Sequence, residues 1–255
     1  MHLAGARQSG TAVTSGIVTS DITWKFGCGY AGVLGRIFLP LIMKLYNYFR
    51  SSASYRVRIA LALKGLSYDY VSVHLAKGDH KLPAFAQMVA DPLVPVLELD
   101  AGDRLTQSLA IMEYLDELHP TPSLLPADAL GRARVRALTL AVACEIHPLN
   151  NLRVLKYLVK DMGVSEAHKD QWYAHWVRNG LEAFEQQLAY SPEGAFCHGD
   201  APGMADCVLV PQIFNARRFN VPLDGLERVQ RVFDACMALD AFSRTQPSAC
   251  PDAEG

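Results

Sequence analysis

The sequence predicts two domains of different class, an α/β domain followed by an all-helical domain. Residues 43–121 alternate between short β-type runs and helical periods, whereas residues 127–250 contain helical periods alone. The segment 120–126 contains three prolines and has the composition of a connector. A change of period at a proline-rich segment therefore marks the boundary between the two domains.

Residues 1–42 are predicted to lie outside both domains. They are rich in Gly, Ser and Thr, contain a single acidic residue, Asp21, and have no steady period. We interpret them as a disordered or misassigned leader ahead of a natural start at Met43. An organellar transit peptide is the alternative, and a secretory signal is disfavoured because no small-residue cleavage pattern follows the apolar run.

The composition is that of a globular protein and excludes several classes of partner. Half of the 255 residues are hydrophobic and 20% are charged. The formal net charge of −2 and the lack of a long basic run argue against nucleic acid and membrane as partners. The six cysteines are scattered without a C-x-x-C pair, which argues against a zinc site and indicates a reducing, cytoplasmic location.

The first domain reads as β-α-β followed by β-β-α. The predicted elements are a strand over 44–49, a helix over 53–64, strands over 68–73, 94–99 and 104–106, and a helix over 109–118. Gly65 follows the first helix, where a C-terminal glycine is common. Two strands joined by a helix imply a parallel pair, and the whole order is the thioredoxin-like arrangement.

The second domain is predicted from apolar residues at helical spacing. The predicted segments are a stripe over 135–146 that continues over 152–158, a long helix over 172–188, and helices over 205–219 and 226–243. Pro148 is expected to kink or interrupt the first of these. The tail after Thr245 is expected to be frayed.

The most informative motif is a serine cluster at the start of the first helix. Ser51, Ser52 and Ser54 directly follow the first strand and precede the helical period. Hydroxyls and free N–H groups at a helix N-terminus attract anions and stabilise a thiolate. The alternative is that these serines are ordinary helix caps.

Five blocks of residues, in this order, resemble the zeta class of the glutathione transferase family, which contains the maleylacetoacetate isomerases. The blocks are 48–61 (YFRSSASYRVRIAL), 94–97 (VPVL), 105–115 (LTQSLAIMEYL), 146–155 (IHPLNNLRVL) and 199–219 (beginning GDAPGMAD). The bacterial maleylpyruvate isomerases are similar in most of these blocks. The resemblance covers residues 43 to about 250.

The resemblance implies a homodimeric cis–trans isomerase with glutathione as cofactor, converting maleylacetoacetate to fumarylacetoacetate in aromatic amino-acid breakdown. The substrate it implies is a small maleyl dicarboxylate. Maleylpyruvate as substrate and a general transferase that conjugates small electrophiles are the alternatives. A binding module without turnover is a further alternative, disfavoured because a scaffold does not need Ser51, Val94, Gln107 and Ser108 together.

The resemblance also implies a glutathione site. Ser51 matches the hydroxyl that donates to the glutathione sulfur, with Ser52 and Ser54 as alternatives. Gln107 and Ser108 match the pair that holds the glutamyl carboxylate. The same resemblance assigns the backbone at Val94–Pro95 to the cysteinyl part and His80 to the glycyl end, although a loop histidine is as often merely solvated.

The resemblance assigns substrate carboxylates to arginines. Arg50 and Arg218 match the family's basic residues, and a guanidinium can bind a carboxylate bidentately. One of the pair Arg217 and Arg218 is expected to make only a surface salt bridge. Asn151 and Arg153 are expected to line the same cleft.

His147, just before Pro148, is interpreted as a satisfied histidine at a helix kink, with a place in the cleft as the alternative. Three departures from the family pattern stand beside these matches. Ala53 replaces the usual Cys, Val89–Ala90 replaces Asn-Pro, and Gly203 replaces a Ser or Thr cap. We expect Ala53 to alter rate or side activities and the fold to survive Gly203.

Overall fold

The computed structural model describes residues 43–254. The prediction of a leader over 1–42 lies outside the described residues, and the domain boundaries at 43–121 and 127–250 stay predictions. Within the described part, no helix is both long and apolar enough to span a bilayer.

A mixed four-stranded sheet forms the first part of the fold. Its strands are β1 (Met43–Asn47), β2 (Tyr68–Ser72), β3 (Val96–Glu98) and β4 (Arg104–Thr106). The sheet order is β2-β1-β3-β4, with β1 parallel to β2 and the other pairs antiparallel. This confirms the predicted β-α-β and β-β-α order.

The helices of this part are α1 (Ser52–Leu63), a short α2 (Pro83–Ala86) and α3 (Ser108–Leu118). Gly65 has φ +64° after α1, and the Leu66 N–H donates to the Leu61 carbonyl at 2.9 Å, as in a Schellman C-cap. On one side of α1, Val57 and Leu61 pack with the sheet. On the other side Tyr55 and Ile59 pack in the helical core, so α1 is buried between the two parts.

The helical part surrounds one buried helix. Its helices are α4 (Ala129–Leu140), α5 (Leu152–Lys160), α6 (Glu166–Leu188), α7 (Met204–Arg218), α8 (Glu227–Met237) and α9 (Asp240–Ser243). Every residue of α7 from Met204 to Ile213 is buried. The Asp206 carboxylate accepts from the N–H groups of Gly203 at 2.8 Å and Cys197 at 2.9 Å, which anchors the start of α7.

The predicted interruption at Pro148 is confirmed. A π-helical turn (Ala141–Ile146) follows α4, and a 3₁₀ turn (Pro148–Asn150) precedes α5. The His147 N–H accordingly donates to the Val142 carbonyl, five residues back, at 2.9 Å.

Two predictions for the C-terminal region were wrong. The helix predicted over 226–243 is broken into α8 and α9 between Met237 and Asp240. The tail is ordered rather than frayed: it forms a 3₁₀ turn (Pro247–Ala249), and Cys250 is buried. Asp252 accepts a hydrogen bond from Tyr70, which the local sequence of the tail could not indicate because the partner lies 182 residues away.

Candidate active site

The start of α1 gives its three serines three different hydrogen-bonding states. Ser51 is the N-cap, and its Oγ accepts from the Ser54 N–H at 3.2 Å, so its own proton stays available to another acceptor. Ser54 is fully buried, and its Oγ has no partner among the described residues. Burial therefore removes Ser54 from the alternatives for a hydroxyl that must reach a ligand.

Ser52 begins a chain of hydrogen bonds into the helical part. Its Oγ lies 3.0 Å from His147 Nδ1, and His147 Nε2 lies 3.5 Å from Asn151 Nδ2. Asn151 Oδ1 accepts from the Arg153 N–H at 3.1 Å, which turns the amide nitrogen towards the histidine. The amide then donates to Nε2, so the neutral imidazole carries its proton on Nδ1 and donates it to Ser52.

The environment of His147 keeps the ring neutral. Desolvation, together with the smaller effects of the positive charges of Arg56 and Arg153, lowers the pKa of His147 to about 3. His147 is therefore hydrogen-bonded at the helix interruption, as the preferred interpretation held. It also contacts the serine cluster, so the two interpretations are compatible.

Two exposed arginines act on the same tyrosine. Burial raises the pKa of Tyr48, and the charges of Arg50 and Arg218 both oppose that rise. The two arginines, 168 positions apart by residue number, therefore both lie within electrostatic range of Tyr48, as do the carboxylates of Glu254 and Asp252. Arg217 instead stacks on Phe233, with its guanidinium carbon 4.1 Å from the ring centroid, and pairs with Asp234 at 4.0 Å.

The N-terminus of α3 is free of side-chain caps. Gln107 precedes it with φ +65° and is exposed, whereas Ser108 is buried. Among the described residues, the N–H groups of Ser108, Leu109 and Ala110 have no hydrogen-bond partner. A helix N-terminus in this state is suited to an anion.

Val94 offers free backbone groups beside β3. The Val94–Pro95 peptide bond is cis, and Val94 precedes the first residue of β3 by two positions. Within the described part of the chain, neither its N–H nor its carbonyl is paired. These groups can accept an extended peptide alongside them.

His80 lies in a turn after β2, and Arg153 lies in the first turn of α5. His80 is in a 3₁₀ turn (Asp79–Lys81), and burial lowers its pKa, with Lys81 and Lys156 adding to the effect. Its Nδ1 is buried with no partner among residues 43–254. The exposed Arg153 guanidinium lies 3.8 Å from the Asp91 carboxylate.

Two residues at this site were missed by the sequence interpretation. The charges of both arginines act on Tyr48, and Arg56 donates to Ser108 Oγ at 3.3 Å from a buried position on α1. Arg56 follows Ser52 by four residues, so helical spacing could have placed it on the same face. No cluster of His, Cys, Asp and Glu suited to a metal ion occurs in the described residues.

Comparisons with known proteins identify the family. The glutathione S-transferase N-terminal domain matches residues 42–117, and the glutathione S-transferase C-terminal domain matches residues 166–235. The maleylacetoacetate isomerase of Pseudomonas aeruginosa is 47% identical over 212 residues, which cover 82% of this chain and 98% of the relative.

Two solved structures agree with this assignment. A holo structure of maleylpyruvate isomerase, described as a bacterial glutathione S-transferase in the zeta class, matches with a TM-score of 0.81 at 49% identity, covering 83% of this chain and 100% of that one. The maleylacetoacetate isomerase of Anaeromyxobacter dehalogenans, solved with bound GSH in the active site, has a TM-score of 0.77 at 42% identity, covering 85% and 100%. The chain belongs to the glutathione transferase family, in its zeta class.

Proposed function

We propose that this protein is a glutathione-dependent cis–trans isomerase that converts maleylacetoacetate to fumarylacetoacetate. The observation that carries the proposal is a pairing of two features near the start of α1. Ser51, the N-cap of α1, has a hydroxyl proton free to donate and directly follows the exposed Arg50, and Arg218 lies within electrostatic range of Tyr48, two residues before Arg50. A hydroxyl donor suits a thiolate, and two guanidinium groups suit a substrate with a carboxylate at each end.

The cofactor fits three features that the protein itself leaves unsatisfied. The uncapped N-terminus of α3, with Gln107 and Ser108, would hold the glutamyl carboxylate. The unpaired backbone at Val94 and Pro95 would pair with the cysteinyl part. The buried, unpartnered Nδ1 of His80 would face the glycyl end.

Glutathione, when bound, supplies the thiol that adds reversibly to the carbon–carbon double bond and so permits its rotation. The Ser51 hydroxyl donates a hydrogen bond to the sulfur, and the N-terminus of α1 favours the negative charge there. Ser52, held by His147 and Asn151, also keeps its proton available and is the second donor. Arg50 and Arg218 orient the substrate carboxylates and stabilise the negative charge that develops during addition.

The test is isomerisation of maleylacetone, a stable surrogate substrate, with and without glutathione. We expect Ser51→Ala to lower glutathione-dependent kcat by about 100-fold, because removal of one preorganised donor to a developing anion has roughly that effect. Turnover by the wild type must vanish without glutathione.

Ser165→Ala is the matched control for the loss of a helix cap. Ser165 caps α6 and accepts from the His168 N–H at 3.3 Å, much as Ser51 accepts from Ser54. The control should keep full activity. If Ser51→Ala also keeps full activity, Ser52 replaces Ser51 as the donor. If the wild type turns over neither maleylacetone nor maleylpyruvate, the isomerase proposal is wrong.

Maleylpyruvate is the alternative substrate, because the structure matched at 49% identity is named for it and the relative at 47% for maleylacetoacetate. The ratio of kcat/KM for the two compounds decides between them.

Arg153 and Asn151 are proposed to line the same cleft. We also propose a homodimer and a cytoplasmic location, the latter because the five cysteines of the described residues are free thiols.

A further inference from the structure

Two arginines of α1 are buried, and they differ sharply in how their charges are satisfied. Arg58 is 1% exposed and donates four hydrogen bonds. Its acceptors are the carbonyls of Thr245 at 3.0 Å, Tyr48 at 3.5 Å and Phe49 at 3.1 Å, and the Asn47 Oδ1 at 3.0 Å. Arg58 is thus fully accounted for as a structural residue.

Arg56 is just as deeply buried and is left largely unsatisfied. It is 2% exposed, and its one hydrogen bond runs from Nη1 to Ser108 Oγ at 3.3 Å. Its Nε and Nη2 are buried with no partner within residues 43–254. Burial lowers the pKa of Arg56 to about 10, so the guanidinium stays charged at neutral pH. An unpaired buried charge is costly, so an anion is expected to offset it.

Arg56 contacts Ser108, which begins α3, and the N-terminus of α3 also lacks acceptors for its N–H groups. Ser108 is the first residue of the eleven-residue α3, which has no side-chain cap and no acidic residue in its first turn. Both the free N–H groups of α3 and the free N–H groups of Arg56 are donors without acceptors in the described residues. A carboxylate, with two acceptor oxygens, can satisfy donors of both kinds.

We propose that Arg56 is a positioning residue: its Nη1 holds Ser108, and its charge is the buried counter-charge for a carboxylate bound at the N-terminus of α3. This inference rests on the proposed function, under which that carboxylate is the α-carboxylate of the glutamyl part of glutathione. Arg56 contacts the binding serine and not the reacting atoms, so it governs cofactor affinity. Lysine cannot replace it fully, because an ammonium group lacks the planar fork of donors.

The experiment compares two ligands by calorimetry, glutathione and 4-aminobutyryl-cysteinylglycine, which lacks only the glutamyl α-carboxylate. The wild type should prefer glutathione by about 100-fold, as expected for charge-assisted hydrogen bonds. In Arg56→Met this preference should fall to about tenfold or less. A purely structural role would weaken binding of both ligands equally and leave the preference unchanged.

Arg58→Met is the matched control, since it removes an equally buried arginine from the same helix. It should keep the wild-type preference even where its stability is lower. If Arg56→Met does not fold, Arg56→Lys is measured instead, and a preference reduced by more than about fivefold supports the inference. An unchanged preference in the variant overturns the inference and leaves the isomerase proposal intact, whereas a wild type that fails to bind glutathione overturns the isomerase proposal itself.

Discussion

At the scale of single residues, the site depends on which hydrogen-bonding groups are already occupied. The Asn151 amide is oriented by the backbone of α5, and it sets the tautomer of the neutral His147 so that the proton on Nδ1 is directed at Ser52. The same ring is flanked by the positive charges of Arg56 and Arg153. A protonated imidazole at this position would therefore be unfavourable.

His147 should make the stability of the protein fall in mild acid. Its pKa is about 3 in the folded protein and about 6.5 when unfolded, so the unfolded state binds the extra proton between these values. The free energy of unfolding should rise with pH up to about 6.5 and fall as the pH drops towards 3. Urea unfolding of wild type and His147→Asn at pH 7.5 and 4.5 measures this difference.

The variant cannot take up that proton, so its stability should depend less on pH than that of the wild type. Subtracting the change in unfolding free energy of the variant from that of the wild type cancels the contributions of other titrating groups. An equal loss of stability in both proteins between pH 7.5 and 4.5 would show that His147 does not carry the effect.

At the scale of elements, α6 fixes the turn that presents His147. A Cβ added at Gly180, inside α6, would lie 2.2 Å from Cγ1 of Ile146, the last residue of the π-helical turn. Ile146 is fully buried, so it has little room to move. The glycine permits the close approach of α6 to the segment that leads directly into His147.

Gly180→Ala should destabilise the protein by about 1–3 kcal/mol, because overpacking outweighs the roughly 1 kcal/mol by which alanine favours a helix. Asn179→Ala is the control at an exposed neighbour on the same helix, where we expect little change. Urea midpoints of the two variants give the comparison. A more stable Gly180→Ala would mean that the turn can shift at no cost.

At the scale of the whole molecule, the C-terminal tail returns to the edge of the sheet where the chain's first strands lie. Ser72 donates to Asp252 Oδ2 at 2.7 Å, and Tyr70 donates to the other oxygen of that carboxylate. Glu254 pairs with Lys77 at 2.7 Å and with His74 at 3.1 Å. The tail thereby covers the edge strand β2 and the segment between β2 and His80, which contains His74 and Lys77.

Asp252→Asn should lower the free energy of unfolding by about 1 kcal/mol, since the hydrogen bonds to a charged acceptor are weakened. Asp240→Asn is its control: that exposed carboxylate, at the start of α9, pairs at 2.8 Å with Arg244, which follows α9, and such exposed pairs contribute little. Thermal or urea unfolding measures both. Equal effects would indicate that the hydrogen bonds of Asp252 add no more stability than an exposed ion pair.

Local patterns were sufficient for the order of strands and helices, the break at Pro148, the cap at Ser51 and the glycine after α1. These features depend on periodicity, capping and proline chemistry, which act over a few residues. The five motif blocks likewise identified the family and most candidate residues. They did not indicate that the tail would be ordered or that the predicted C-terminal helix would break.

Sequence by itself therefore determined the fold class, the family and the serines at the start of α1. Only the tertiary structure decided how those serines differ, because the partner of Ser52 lies 95 residues away and Ser54 is closed off by packing. The same holds for Arg56: helical spacing places it on the face of Ser52, but only the packing shows that its guanidinium is left without partners whereas that of Arg58 is not. Burial, long-range hydrogen bonds and unpaired charges arise only when distant segments pack together, and they decide which matched residues can meet a ligand.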